Sequence, residues 1–375
     1  MTKKDVIRTL SEWFQVPQSV LEDANSQRGN WEIPGYELIK VSKVEAAEKV
    51  IKIYQQIDEC FVYLNQQTKD DWLIYLPVSH SMNTKQPYDS TLCYQHVHWL
   101  CETYPFIQKR IIGYSLLKKP IFELRVGRGK KKVQMNASFH ANEWVTSALL
   151  MSAFYEYVCA LSKGELLLER DVLKMYEEVE LSIVPMVNPD GVDLVIHGSK
   201  EAKQYEDYVI ELNQGAPIFS HWKANIRGID LNNQFPSFFK IEQKRKPKKP
   251  GPRDFPGFFP LSEPEAKVMA HLVNKEMFDR LICFHSQGEE FYYGYLGFEP
   301  EESKPFAKSL EEASGYKAIR YIDSYAGFRD WFIHTQGQIG VTVEIGKGEN
   351  PLSLEKYDKM AKETLALFLT SLDDF

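Results

Sequence analysis

The sequence predicts an α/β protein: a mixed, largely parallel central sheet flanked by helices, with a small α+β appendage at the N-terminus. Three observations lead there. Five short runs, Ile121 to Val126, Val133 to Phe139, Val179 to Val187, Arg280 to His285 and Ile339 to Ile345, are apolar and rich in β-branched residues. Near-continuous apolar runs of that length are the signature of strands buried on both faces. Longer stretches of helical period, Val145 to Leu161, Glu263 to Met277 and Pro305 to Ala313, stand between several of them, and strands alternating with helices build a largely parallel sheet. With 375 residues, 43% hydrophobic and 26% charged, the chain has ordinary globular composition and the length for one large domain and an appendage.

Taken in order, Val6, Leu10, Trp13 and Phe14 fall on one helical face, and Val16-Pro17 ends the run. A second short helix follows from Gln18 to Ala24, then a turn at Pro34-Gly35 and a short strand from Tyr36 to Val41. The segment TLSEWFQVPQSVLEDANS with the downstream GYELIKV resembles part of a lysin-motif module. That resemblance implies a module over residues 1–42 that contacts N-acetylglucosamine glycan, the alternative being a packing appendage. Residues 43–85 read as a helical connector: Val44, Ala47, Val50, Ile51 and Tyr54 share a face between Lys43 and Ile57, and Asn65 to Asp89 shows no period. The remainder, 86–375, reads as one large domain. It opens on a helix from Leu92 to Tyr104, stopped by Pro105. Ser262 and Glu265 fit a capping box, with Pro264 in the first helical turn. The stretch KIEQKRKPKKPGPR, Lys240 to Arg253, lacks an apolar period and reads as a solvated loop or a basic rim for an acidic substrate. A helix from Glu355 to Leu372 closes the chain.

A net charge of −7 argues against a nucleic-acid partner. No run of about 18 consecutive apolar residues predicts a membrane span, and the N-terminus lacks the apolar core of a secretory signal. The five cysteines form no C-x-x-C pair and read as reduced thiols. These features together predict a cytoplasmic protein with no membrane partner.

The chemistry concentrates at strand ends. His140-Ala-Asn-Glu143 sits between the strand VQMNASF and the helix that starts at Trp144. Imidazole and carboxylate three residues apart can face one point, and both ligate zinc. Alone the pair reads equally as a chance histidine beside a helix-capping glutamate, so a third ligand is required. His285, at the end of DRLICFH, supplies one, and Glu344 ends the run IGVTVE. Ends of strands in an open α/β sheet are where ligand sites form. An ionised carboxylate after such a run needs a partner. Two imidazoles and two carboxylates make the inventory of a hydrolytic zinc site with an open position and a base.

From about Tyr88 to Phe375 the chain resembles the zinc metallocarboxypeptidases of pancreatic type. Eight segments occur in the family's order: YPFIQKRIIGYSLLKKPIFELRVG, HANEW, VPMVNPDGV, GIDLNNQFP, PLSEPEAK, FHSQG, AGFRDW and VTVEIGKGENPL. The resemblance implies one zinc ion held by His140, Glu143 and His285, with Glu344 as general base. It implies a cation beside the oxyanion, Lys223 or its competitor Arg227. Where the family carries an Asn-Arg pair that grips a substrate's terminal carboxylate, this chain has Asn232-Asn233. The resemblance puts Arg329 at the base of the pocket for the residue after the scissile bond, where a guanidinium suits a side-chain carboxylate; the alternative is a surface salt bridge. The resemblance also implies a tyrosine that closes over substrate just upstream, for which Tyr325 and Tyr321 are the two nearby candidates, neither in clean alignment.

These departures are similar to those of one bacterial branch, the γ-D-glutamyl-L-diamino acid endopeptidases. The resemblance implies hydrolysis of the bond between D-glutamate and meso-diaminopimelate or lysine in peptidoglycan stem peptides. The alternatives are a general carboxypeptidase acting on protein C-termini and a non-catalytic peptidoglycan-binding protein.

Overall fold

The computed structural model describes residues 3–26, 31–42, 61–64, 71–78 and 82–373. They form two compact units, one drawn from residues 1–82, 97–108 and 155–173, the other from 83–96, 109–154 and 174–375.

The smaller unit begins with helices Lys3–Phe14 and Gln18–Ala24. Ile7, Leu10 and Phe14 are the buried face of the first, while Trp13 is 51% exposed. The spacing of seven, ten and fourteen is one helical stripe, and Trp13 falls a step off it. The strand β1, Tyr36–Ser42, runs antiparallel to β3, Asp71–Pro77, which pairs on its other side with β2, Phe61–Leu64. Residues 65–89 therefore contain a strand where the sequence predicts only connector. The run DWLIYLP is too short to show a period by itself, and its strand conformation is fixed by two partners distant in sequence. The sheet also carries this unit past residue 42, the boundary predicted for it. The helix predicted from Lys43 to Ile57 lies outside the described residues.

The larger unit is built on eight strands: β4 Gln108–Tyr114, β5 Pro120–Val126, β6 Lys131–Ala137, β7 Val179–Val184, β8 Arg280–His285, β9 Glu290–Tyr292, β10 Lys317–Ile319 and β11 Ile339–Glu344. Their order is β10-β9-β11-β8-β6-β7-β5-β4. Strands β7, β6, β8 and β11 are parallel, whereas β5 and β9 run antiparallel to their neighbours in that block. The mixed, largely parallel sheet of the sequence reading is thus present. Its parallel centre consists of the most apolar runs: all six residues of β8 are buried. Strands β4, β9 and β10 escaped the sequence reading because the first is mostly exposed and the other two have three residues each.

Helices Trp144–Lys163, Pro264–Glu276, Ser303–Ser314 and Tyr357–Leu372 stand where periodicity puts them. The first, extended back to Ala141, is long and apolar enough to cross a membrane, but most of that stretch is buried inside the protein. The predicted capping box does not form. The helix begins at Pro264 behind Glu263, the Ser262 N–H and hydroxyl donate to Gln234, and Glu265 instead accepts the Leu116 N–H. The basic stretch is half helix, Phe239–Arg245, because Phe239 and Glu242 bury on one side and Arg245 and Lys246 pair with Glu242. Among the described residues Cys93, Cys101, Cys159 and Cys283 are free thiols.

Candidate metal centre

The register of the parallel block delivers the site. Glu344 of β11 lies opposite His285 of β8, and β8 pairs in turn with β6, whose last residue, Ala137, precedes His140 by three. Three adjacent strands thus end at one place. His140 and Glu143 flank a single turn of 3-10 helix, Ala141–Glu143, that leads into Trp144–Lys163. Asn188 braces this turn by donating its side-chain amide to the carbonyls of Phe139 and Ala224. The Ala141 N–H donates to the carbonyl of Lys223 at 3.0 Å, which sets Lys223 beside His140.

Four donor atoms crowd together there. His140 Nδ1 is 2.8 Å from Glu143 Oε1, His285 Nδ1 is 3.0 Å from Glu143 Oε2, and the two Nδ1 atoms are 3.1 Å apart. His140, Glu143 and His285 are all buried. Donors at bond lengths of about 2.0–2.1 Å around a tetrahedral zinc stand roughly 3.3 Å from one another, so the spacing suits that ion. Two imidazoles and a carboxylate are also a known donor set of catalytic zinc. A further feature suits a metal: the Asp230 carboxylate lies 3.3 Å from His140 Nε2, the ring nitrogen turned away from the converging Nδ1 atoms. The residues fit zinc.

The electrostatics follow from the packing. Burial raises the Glu143 carboxyl, but His140 and His285 outweigh it and hold the group below the usual carboxylate range. Burial lowers the His285 imidazole, whereas for His140 the pull of Glu143 overcomes burial and raises it. Glu344 behaves oppositely: burial, with Glu143 and Glu290 nearby, pushes its carboxyl well above the usual range against the opposing pull of Lys223. A carboxyl lifted in this way is suited to exchange protons near neutrality.

Asp230 is the residue that sequence reasoning missed. It is buried, caps the 3-10 turn Leu231–Asn233, and takes both His140 and the Lys223 ammonium, the latter at 3.0 Å. Burial works against its charge, yet Lys223 and His140 hold it ionised. An acid between two apolar residues in GIDLNN was the available signal.

Of the other predicted site residues, Lys223 joins the centre and also pairs with Asp254 at 3.2 Å. Arg227 does not: its guanidinium pairs with the buried Glu263, so that of the two predicted cations only Lys223 reaches the metal ligands' surroundings. Asn232 Oδ1 accepts the Phe328 N–H at 3.2 Å, and Asn233 is buried beside it. Arg329 is buried on the helix Phe328–Gln336, with one nitrogen donating to the Gly294 carbonyl and another paired with Asp330. It is therefore already neutralised, unlike the free cation the sequence suggests. Tyr325 lies under the Arg245 guanidinium at 5.0 Å, and the Tyr321 hydroxyl donates to Glu299. Among the described residues, no contact joins either tyrosine to the metal centre. A cavity of about 650 Å³ lies elsewhere, beside the starts of β6, β8 and β11 and lined by Lys131, Arg280 and Ile339 among others.

Comparison with known proteins follows the same lines. Residues 93–366 match the family model described as zinc carboxypeptidase. The chain is 41% identical over 291 residues to γ-D-glutamyl-L-diamino acid endopeptidase 1 of Lysinibacillus sphaericus, covering 78% of this chain and 74% of that protein. It is 40% identical to YqgT of Bacillus subtilis (strain 168), covering 98% and 96%. Among solved structures, bovine thrombin-activatable fibrinolysis inhibitor in complex with tick carboxypeptidase inhibitor shares the fold at a TM-score of 0.61 and 18% identity, over 77% of this chain and 97% of that one.

Proposed function

The chain belongs to the zinc carboxypeptidase family, and from that premise we propose that it hydrolyses the γ-D-glutamyl bond to a diamino acid in peptidoglycan stem peptides. The observation that carries the reading is the identity of 41% to an endopeptidase of that name over more than three quarters of the chain. The Asn232-Asn233 pair supports it: neither side chain offers a charge to the free terminal carboxylate that an ordinary carboxypeptidase substrate presents.

His140, Glu143 and His285 would hold the zinc. When bound, the ion supplies Lewis acidity, acidifying a water and polarising the scissile carbonyl. Glu344 takes the proton of the attacking water and returns it to the leaving amine, acting as base and then as acid. The Lys223 ammonium, held by Asp230, faces the negative charge that develops on the carbonyl oxygen. Asp230 keeps the His140 ring in its ligating orientation. Cytoplasmic muropeptides are the substrate pool this reading assigns.

The test is cleavage of L-Ala-γ-D-Glu-meso-diaminopimelate set beside a blocked α-linked dipeptide, with products identified by mass spectrometry and zinc measured in the purified protein. Release of the free diamino acid supports the assignment. Cleavage confined to the blocked dipeptide makes the chain a general carboxypeptidase instead.

A further inference from the structure

The row of residues that carries the base does not stop at Glu344. On its other side β11 pairs with β9, and Glu344 lies directly opposite Glu290. Residues opposed in register project to the same face of a sheet. His285, Glu344 and Glu290 therefore form one line across β8, β11 and β9 on the metal-centre face. Gly288 shows how close the two carboxylate side chains come: a Cβ there would stand 2.9 Å from Glu290 Cγ and 3.3 Å from Glu344 Cβ. Tyr292, two residues along the same face, donates its hydroxyl to Glu290 Oε1 at 2.5 Å. Among the described residues no lysine or arginine pairs with Glu290; the nearby Lys347 and Lys359 pair with Glu289.

Below this row lies Arg329. A Cβ on Gly340 of β11 would meet its Cγ at 3.0 Å, so the arginine lies over the same face, nearer the start of the strand. Its charge is cancelled by Asp330, and its buried Nε has no hydrogen-bond partner. The floor is polar but neutral, leaving Glu290 as an uncompensated charge next to the base.

We propose that Glu290 receives the side-chain ammonium of the residue on the leaving side of the scissile bond, and so selects a diamino acid. The leaving amine must touch Glu344 to take its proton, which puts the leaving residue beside Glu290. Glu290 stands one strand spacing, about 4.8 Å, beyond Glu344. An extended lysine side chain, five bonds of about 1.5 Å, reaches roughly 6 Å from its Cα. The distances match. The inference rests on the function proposed above for its choice of diamino acid, though the preference for a cation belongs to Glu290 whatever amide is cut.

The experiment uses the zinc-loaded full chain and two matched substrate pairs, L-Ala-γ-D-Glu-L-Lys with its norleucine analogue, and an α-linked peptide ending in lysine with its norleucine analogue. The wild type should favour lysine over norleucine at least tenfold in kcat/KM on the pair it cleaves. Glu290→Gln should bring that ratio to within about threefold of unity, and Glu290→Asp should keep most of it. Glu290→Thr, β-branched and suited to a strand, removes the charge by a second route should the amide variant not fold. Titration of the Glu344→Gln protein with the uncleaved γ-linked pair should show the same preference in Kd, independent of turnover. A wild-type ratio near one, or a ratio unchanged in both neutral variants, overturns the role of Glu290. Cleavage of the α-linked pair alone overturns the proposed function while still judging Glu290 on that pair.

Discussion

Two buried charge clusters of the larger unit show how a structural network differs from a reactive one. Around Glu123, which is fully buried, Arg110 and Arg125 donate to its two oxygens and the Ser182 hydroxyl donates to one of them as well. Arg125 continues to Glu180 and Glu276, and Arg110 also reaches Glu276. Each carboxylate there meets a guanidinium. Around Glu143 the count differs. Two imidazoles and three carboxylates, Glu143, Asp230 and Glu344, share one lysine, the donor atoms of three residues point at each other from about 3 Å, and His285 Nε2 has no hydrogen-bond partner. Buried polar groups are normally satisfied. A cluster in which every carboxylate meets a guanidinium is built as scaffolding, and one in which two imidazoles and a carboxylate turn their ligating atoms to one point is built to hold a ligand.

The contrast can be broken by exchange of single atoms. Glu344→Gln should have the largest effect, lowering kcat by roughly two to four orders of magnitude while zinc content is retained, as read by turnover and metal analysis side by side. Undiminished turnover would remove Glu344 from the chemistry. Glu123→Gln should instead cost stability, about 3 kcal/mol in a urea titration, because it takes one charged partner from the buried Arg125 guanidinium, and the turnover of the protein that remains folded should be little changed. A large loss of turnover in folded Glu123→Gln protein would erase the distinction drawn between the clusters.

Glu265 tests the rule from a third position. Its Oε2 has no hydrogen-bond partner, and burial, with Asp190 close by, pushes the carboxyl up to about 8 from 4.5. The folded chain then binds more protons than the unfolded chain between those values, so stability is full below the window and declines as pH rises through it. Over pH 5 to 8 the decline should be on the order of a few kcal/mol, and Glu265→Gln should flatten it. A wild type equally stable at both ends would show that the carboxyl is not so raised. Smallest of all, Asp230→Asn should weaken zinc binding by about tenfold to a hundredfold, since the residue orients a ligand without being one. Zinc affinity equal to wild type in a chelator competition would reduce Asp230 to a helix cap.

Much of this was legible in the residues. The run DRLICFH becomes β8 with the predicted limits, Arg280–His285, because a strand buried on both faces has no polar position to blur its ends. His140, Glu143, His285 and Glu344 stand out because polar groups after apolar runs are costly unless used. The small strands Glu290–Tyr292 and Lys317–Ile319 were not legible, since three residues carry no period. Ser262 and Glu265 satisfied a capping pattern that the fold did not use, because Gln234, 28 residues away, claimed the serine.

The amino-acid order alone determined which segments are helix or strand in the parallel core, and marked His140, Glu143, His285 and Glu344 as candidates at strand ends, because periodicity and chemical type are local properties. Tertiary structure alone decided which charges meet. It gave Lys223 to Asp230 and Arg227 to Glu263, cancelled Arg329 with Asp330, and left Glu290 beside the base without a cation. Ion pairing depends on a few ångströms between residues far apart along the chain, and the register of the strands sets that separation.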